Sequence, residues 1–108
     1  MSGANPWAGE VALVIDGQRH VMKLTLGALA ALETELDTGG LVALVERFET
    51  GEFATRDVIL VLLHALRGGG WEGTNEMVLQ ADIQGGAMAA VAAAGQVLAR
   101  AFSLPDDA

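Results

Sequence analysis

The dipeptide Asp16-Gly17 constrains this chain more tightly than any other part of it. It sits in EVALVIDGQRHVMKLT, between two short runs of alternating character. Both central positions of a type I′ turn need a positive φ, and Asp-Gly is among the pairs that accept it. A two-residue loop fixes the register. Ile15 then faces Gln18, Leu13 faces His20, Val11 faces Met22 and Glu10 faces Lys23. Side chains alternate along a strand, so Val11, Leu13, Ile15, Met22 and Leu24 share one face with His20. Glu10, Ala12, Val14, Arg19, Val21 and Lys23 share the other. The first face is predicted to point inward, and the opposed Glu10 and Lys23 support the second as the outer one. A lone hairpin is marginal in water, so the rest of the chain must cover it.

The residues after the hairpin have helical periodicity. In LTLGALAALETEL, Thr25 is a good N-cap and Leu26, Leu29, Leu32 or Glu33, and Leu36 recur at roughly helical spacing, with Gly39-Gly40 predicted to end the element. LVALVERFE repeats the pattern with Leu41, Leu44, Val45 and Phe48, and Gly51 stops it. Thr55 is predicted to cap a third helix, with Asp57 in its first turn. DVILVLLHALR is apolar almost all round, which points to a helix at the centre of the core, a buried strand being the alternative. Thr74 caps a short fourth helix, NEMVLQADI. A last helix, AMAAVAAAGQVLARAF, comes after Gly85-Gly86 and ends before Pro105. Its larger residues Met88, Val91, Leu98 and Phe102, with Gly95 between, form a heptad-like seam. The Ala-rich back through Ala89, Ala92, Ala93 and Ala99 is a second smooth face. The expected fold class is therefore α+β, an N-terminal β-hairpin followed by about five mostly short helices. One domain, 1–108, comprises a flexible lead (1–9), the hairpin (10–25), a helical body (26–103) and a frayed tail (104–108). A chain of 108 residues suits one small domain.

Composition removes several classes of function. With no cysteine, disulfides and thiolate metal sites are excluded. Fourteen acids against six bases give a net charge of −8, which disfavours binding to nucleic acid. Residues 1–9 lack the basic start and apolar run of a signal peptide. The apolar stretch from Ile83 to Ala101 is mostly Ala and Gly, broken by Gln84, Gln96 and Arg100, so no membrane span is expected.

LRGGGW (residues 66–71) poses a sharper choice. A phosphate loop needs a strand before its glycines, a helix after them, and usually a Lys with Ser or Thr. Here a helix precedes the glycines, so they are expected to terminate it. His20 and His64 show no metal-ligand spacing, and no metal or cofactor is expected. Glu33 and Asp37, at i and i+4, are read as solvated. Ser occurs only near the ends, as Ser2 and Ser103, and no catalytic residue is assigned. Two tryptophans and the last helix are the candidate partner contacts: Trp7, Trp71, Met88, Val91, Leu98 and Phe102. For Trp71 the plainer reading is a loop residue covering helix ends, and for the seam it is packing within the domain.

The order of the pieces adds something. NPWAGEVALVIDG, KLTLGALAALETEL, LVALVERFETGEF, RDVILVLLHALRGGG and GGAMAAVAAAGQVLARAF, spanning roughly Asn5 to Phe102, together resemble the gene transfer agent tail protein family. That family is also described as a phage tail assembly chaperone, and in some descriptions as a tail tube protein. Leu24 to Glu33 (LTLGALAALE) carries most of the resemblance, with Arg67 to Gly70 (RGGG) in support. One departure is Ala8, where the family pattern often has a basic residue. The resemblance implies a small, acidic, mostly helical protein of prophage-derived type. It would act in the bacterial cytoplasm during virion assembly, binding the tape-measure protein and helping to recruit tail-tube subunits, without catalysis. Homo-oligomerisation is compatible with it. Tail tubes resemble β-sandwich rings, which one hairpin with helices does not match. The alternatives are a permanent structural part of the tail and, unrelated to phage, a small-ligand module built on the Trp71 loop.

Overall fold

The structure is a computed structural model that describes residues 9–36 and 39–102. Trp7, Asp37 and the tail from Ser103 lie outside the described residues. The elements are β1 (Glu10–Ile15), β2 (Gln18–Lys23), α1 (Leu26–Thr34), α2 (Gly40–Thr50), α3 (Thr55–Gly68), α4 (Asn75–Leu79) and α5 (Gly86–Phe102). This is the α+β arrangement expected from the sequence.

The hairpin forms in the register its turn dictates, from Glu10↔Lys23 to Ile15↔Gln18. Asp16 and Gly17 both take positive φ, at 52° and 81°. Val11, Leu13, Ile15, Met22 and Leu24 are buried beneath it, while His20 is half-buried at the margin. α3 runs through the centre of the core. Val58, the run from Leu60 to Leu63, Ala65 and Leu66 are all buried, which explains why its sequence shows no polar face.

α1 begins as predicted, with the Thr25 hydroxyl accepting from the Ala28 N–H at 3.0 Å. Thr25→Ala is expected to cost about 1 kcal/mol, the usual worth of an N-cap, measurable as a shift of the urea midpoint at unchanged slope. Three boundaries differ from expectation. α1 stops at Thr34, with Glu35 as its C-cap, and Gly39 serves α2 as a left-handed N-cap. α3 is capped at Ala54, not Thr55, because the Asp57 carboxylate reaches back to accept from the Ala54 N–H at 2.8 Å. α4 ends at Leu79, and the segment after it turns back to the hairpin instead of staying helical.

That return segment is clamped to the turn. The Asp16 N–H donates to Asp82 O at 2.8 Å, the Asp82 N–H to Asp16 Oδ1 at 2.9 Å, and the Gln84 N–H to Val14 O at 3.0 Å. Further along β1, Arg100 of α5 donates to Glu10 O at 2.6 Å. On the opposite edge, the outward carbonyls of Val21 and Lys23 meet the end of α3. A Cβ built on Gly69 would lie 1.9 Å from Val21 O, and one on Gly68 2.0 Å from Lys23 O. Only glycine lets a helix end abut a strand edge this closely. Both edges of the two-stranded sheet are thus engaged by the chain itself, one of the standard ways of protecting an edge.

Candidate partner-binding surface

An open apolar groove of about 490 Å³ runs between the first half of α3, the first half of α5 and the α4 segment. Val58, Ile59 and Leu62 form its floor, Ala87, Ala90 and Val91 one wall, and Val78, Leu79, Ala81 and Ile83 the other. Phe53 lies at the end near α3's start. Thr55 and Asp82 are the only polar lining residues. The groove exists because its walls are held apart by anchors elsewhere. Ile83 bridges to Ile15, and the Asp16–Asp82 bonds fix the loop behind it. Phe53 stacks on Phe48 with ring centroids 4.8 Å apart, and Phe48 in turn passes close to Gly95 of α5. Val91, Phe53, Ile59 and Ile83 are half-buried, with apolar surface facing the opening.

The loop carrying Phe53 is tied down by a bidentate ion pair. Arg47 of α2 grips the Asp57 carboxylate through two bonds, Nε to Oδ2 at 3.0 Å and Nη2 to Oδ1 at 2.9 Å. Burial of Asp57 works against its charge. The Arg47 hydrogen bonds, the Ala54 N–H and the positive charges of Arg47 and Arg56 outweigh it, leaving the pKa below the ordinary carboxylate value.

The sequence-derived contact residues are not brought together. Leu98 is 2% exposed and belongs to the core, whereas Met88 is 82% exposed and does not line the groove. Val91 lines the groove, and Phe102, 43% exposed, lies near the far end of α5. Trp71 is half-buried, its ring over Gly73 and 6.4 Å from His20 in an edge-on contact. Its N–H donates to Leu66 O of α3 at 3.0 Å. Ala89, Ala92 and Ala93 face β1 across a shallower recess of about 290 Å³. Trp7 lies outside the described residues.

The histidines occupy separate sites. His64, buried in α3, lies with Nε2 2.8 Å from Glu35 Oε2, while His20 is on β2. No group of three or more His, Cys, Asp or Glu is placed to hold a metal among the described residues. Nor is any described helix long and apolar enough to cross a membrane. The glycines of LRGGGW offer no anion cradle. The N–H groups of Gly69, Gly70 and Trp71 donate to Ala65, Leu66 and Arg67 carbonyls of α3.

Sequence reasoning missed the groove. Its lining comes from two stretches, 53–62 and 78–91, that lie apart in the sequence, and no local pattern pairs them. A family model described as phage tail tube protein, GTA-gp10, matches residues 8–104. Comparison with curated proteins and with solved structures returned no match.

Proposed function

The chain belongs to the phage tail tube protein family of the GTA-gp10 type, and from that membership we propose that it is a non-catalytic structural component of the tail of a phage-like particle, in which it binds other tail proteins. The observation that carries the reading is the reach of the family match, residues 8–104, which takes in the hairpin and all five helices. The groove, with its half-buried Phe53, Ile59, Ile83 and Val91, supplies a surface suited to a protein partner. Mass spectrometry of purified particles tests the role. The protein is expected at a fixed stoichiometry with the other tail proteins, and its absence from finished particles would overturn a permanent structural place.

A second reading is favoured by one observation. Rings closed by strand addition need a free sheet edge, and here Val14 O and Glu10 O of one edge accept hydrogen bonds within the chain while Gly68 and Gly69 press against Val21 and Lys23 on the other. A subunit so built suits an assembly chaperone that holds the tape-measure protein in the bacterial cytoplasm, helps recruit tube subunits and then leaves. On that reading the protein is missing from particles, and its co-expression raises the soluble fraction of a tape-measure fragment.

A further inference from the structure

Most of the groove's lining belongs to α3, α4 and α5, whose backbone groups are largely bonded within the helices. Ile83, the one lining residue in extended backbone pairing, is already bridged to Ile15. A segment that enters must therefore satisfy its own backbone hydrogen bonds, and a helix does so. The floor and one wall are helices, so a third helix can nest between them with ridges into grooves.

Charge narrows the partner further. Asp82 lines the groove and shares hydrogen bonds with Asp16, so two acidic residues adjoin one end. Exposed Glu52 precedes Phe53, another lining residue. Arg47, Arg56, Arg67 and Arg100 all donate to acceptors within the chain, to Asp57, Glu35 O, Gly73 O and Glu10 O. Only the Arg47 bond meets a carboxylate, and Arg56 keeps its charge beside Ile59 and Leu79; Asp16, Glu52 and Asp82 outnumber it around the groove, in a chain of net charge −8.

We infer that the groove between α3, α5 and the α4 segment binds an amphipathic helix of another protein, its apolar face inward and lysines or arginines along its flanks. The inference rests on the proposed role in binding tail proteins, and it specifies the chemistry of the partner.

The test is fluorescence anisotropy with a labelled Leu/Lys amphipathic peptide of about 15 residues, long enough to hold a helix. A Leu/Glu peptide of the same pattern and a scrambled Leu/Lys peptide serve as controls. The Leu/Lys helix is expected to bind in the micromolar range, and both controls about tenfold more weakly or worse. Ala87→Trp, which fills the groove from an exposed position, and Val91→Gln are each expected to weaken binding about tenfold. Met88→Gln, outside the groove, leaves it unchanged. Urea unfolding of each variant establishes that it folds. Equal binding of the scrambled peptide would reduce the effect to bulk charge and overturn the proposal, as would undiminished binding by both groove variants. If the free protein is a dimer in light scattering that Ala87→Trp converts to monomer, the occupant is a second copy and the proposal also falls. Failure here removes the groove assignment and leaves particle composition to decide the tail role separately.

Discussion

Replacing Gly69 with alanine is expected to destabilise the fold by about 3 kcal/mol or more, at the upper end of what overpacking costs. The added Cβ would lie 1.9 Å from Val21 O and 2.9 Å from its carbon, both backbone atoms that no rotamer change can move. Relief requires shifting the end of α3 away from β2, and α3 is the central element of the core. Gly68→Ala meets Lys23 O at 2.0 Å and should be comparably severe. Gly70 is the informative contrast. Nothing lies within 4 Å of its Cβ position, and only its positive φ of 105° resists a side chain. Gly70→Ala should therefore cost about 1–2 kcal/mol. Urea unfolding followed by circular dichroism gives the three values. A Gly69→Ala protein within about 0.5 kcal/mol of the parent, inside the usual range of a surface change, would mean that α3 does not press on the strand edge. The three consecutive glycines are thus two requirements of packing followed by one of turning.

The glycine run illustrates what local sequence can and cannot disclose. Helix termination was legible, because three glycines after Arg67 admit little else. The contact with β2 was not, because it joins residues more than forty positions apart. The hairpin was legible in full, since the two-residue turn at Asp16-Gly17 dictates every pair in its ladder. α5 was legible as a helix but not in its orientation. Counting large residues selects the stripe through Met88, Val91, Leu98 and Phe102. The stripe actually buried runs through Ala90, Ala94 and Val97, rotated by roughly 100° about the helix axis at 3.6 residues per turn. Small residues win because they let α5 approach α3 and β1 closely. Only Leu98 lies on the margin shared by both stripes, which is why it is buried and Met88 is not. The groove has the same cause. Ala87 and Ala90 are too short to fill the space opposite Ile59 and Leu62, and no periodicity in either helix reports that deficit. Thr55 misled for a different reason. Ser or Thr ahead of an acidic residue signals an N-cap, but Asp57 had a second partner, Arg47, that the local pattern does not contain.

Asp57→Ala is the other change expected to have a large effect, about 3 kcal/mol, in the range for breaking a buried ion pair from one side. Three features set that size. Asp57 is buried, its two oxygens take both arms of the Arg47 fork, and Oδ2 also accepts from the Ala54 N–H. Its removal leaves Arg47 and the Ala54 N–H without these bonds at the junction between α2 and α3. The Arg47 side chain is one-third exposed and recovers some hydration, which keeps the loss from being greater. In a double-mutant cycle with Arg47→Met, the coupling should be about 1.5–3 kcal/mol, typical of hydrogen bonds between charged groups. The pH dependence carries an independent signature. Because the folded-state pKa of Asp57 is depressed, its stabilisation is fully present above the unfolded value of about 3.9 and is lost as pH falls through the folded value. The stability difference between parent and Asp57→Ala should therefore be flat near neutrality and shrink below about pH 4. A difference that persists unchanged into strong acid would show that the carboxylate's charge is not what Arg47 recognises. The loop this pair secures also carries Phe53, so the variant should loosen the Phe48–Phe53 stack and weaken binding of the Leu/Lys helix even where the protein remains folded.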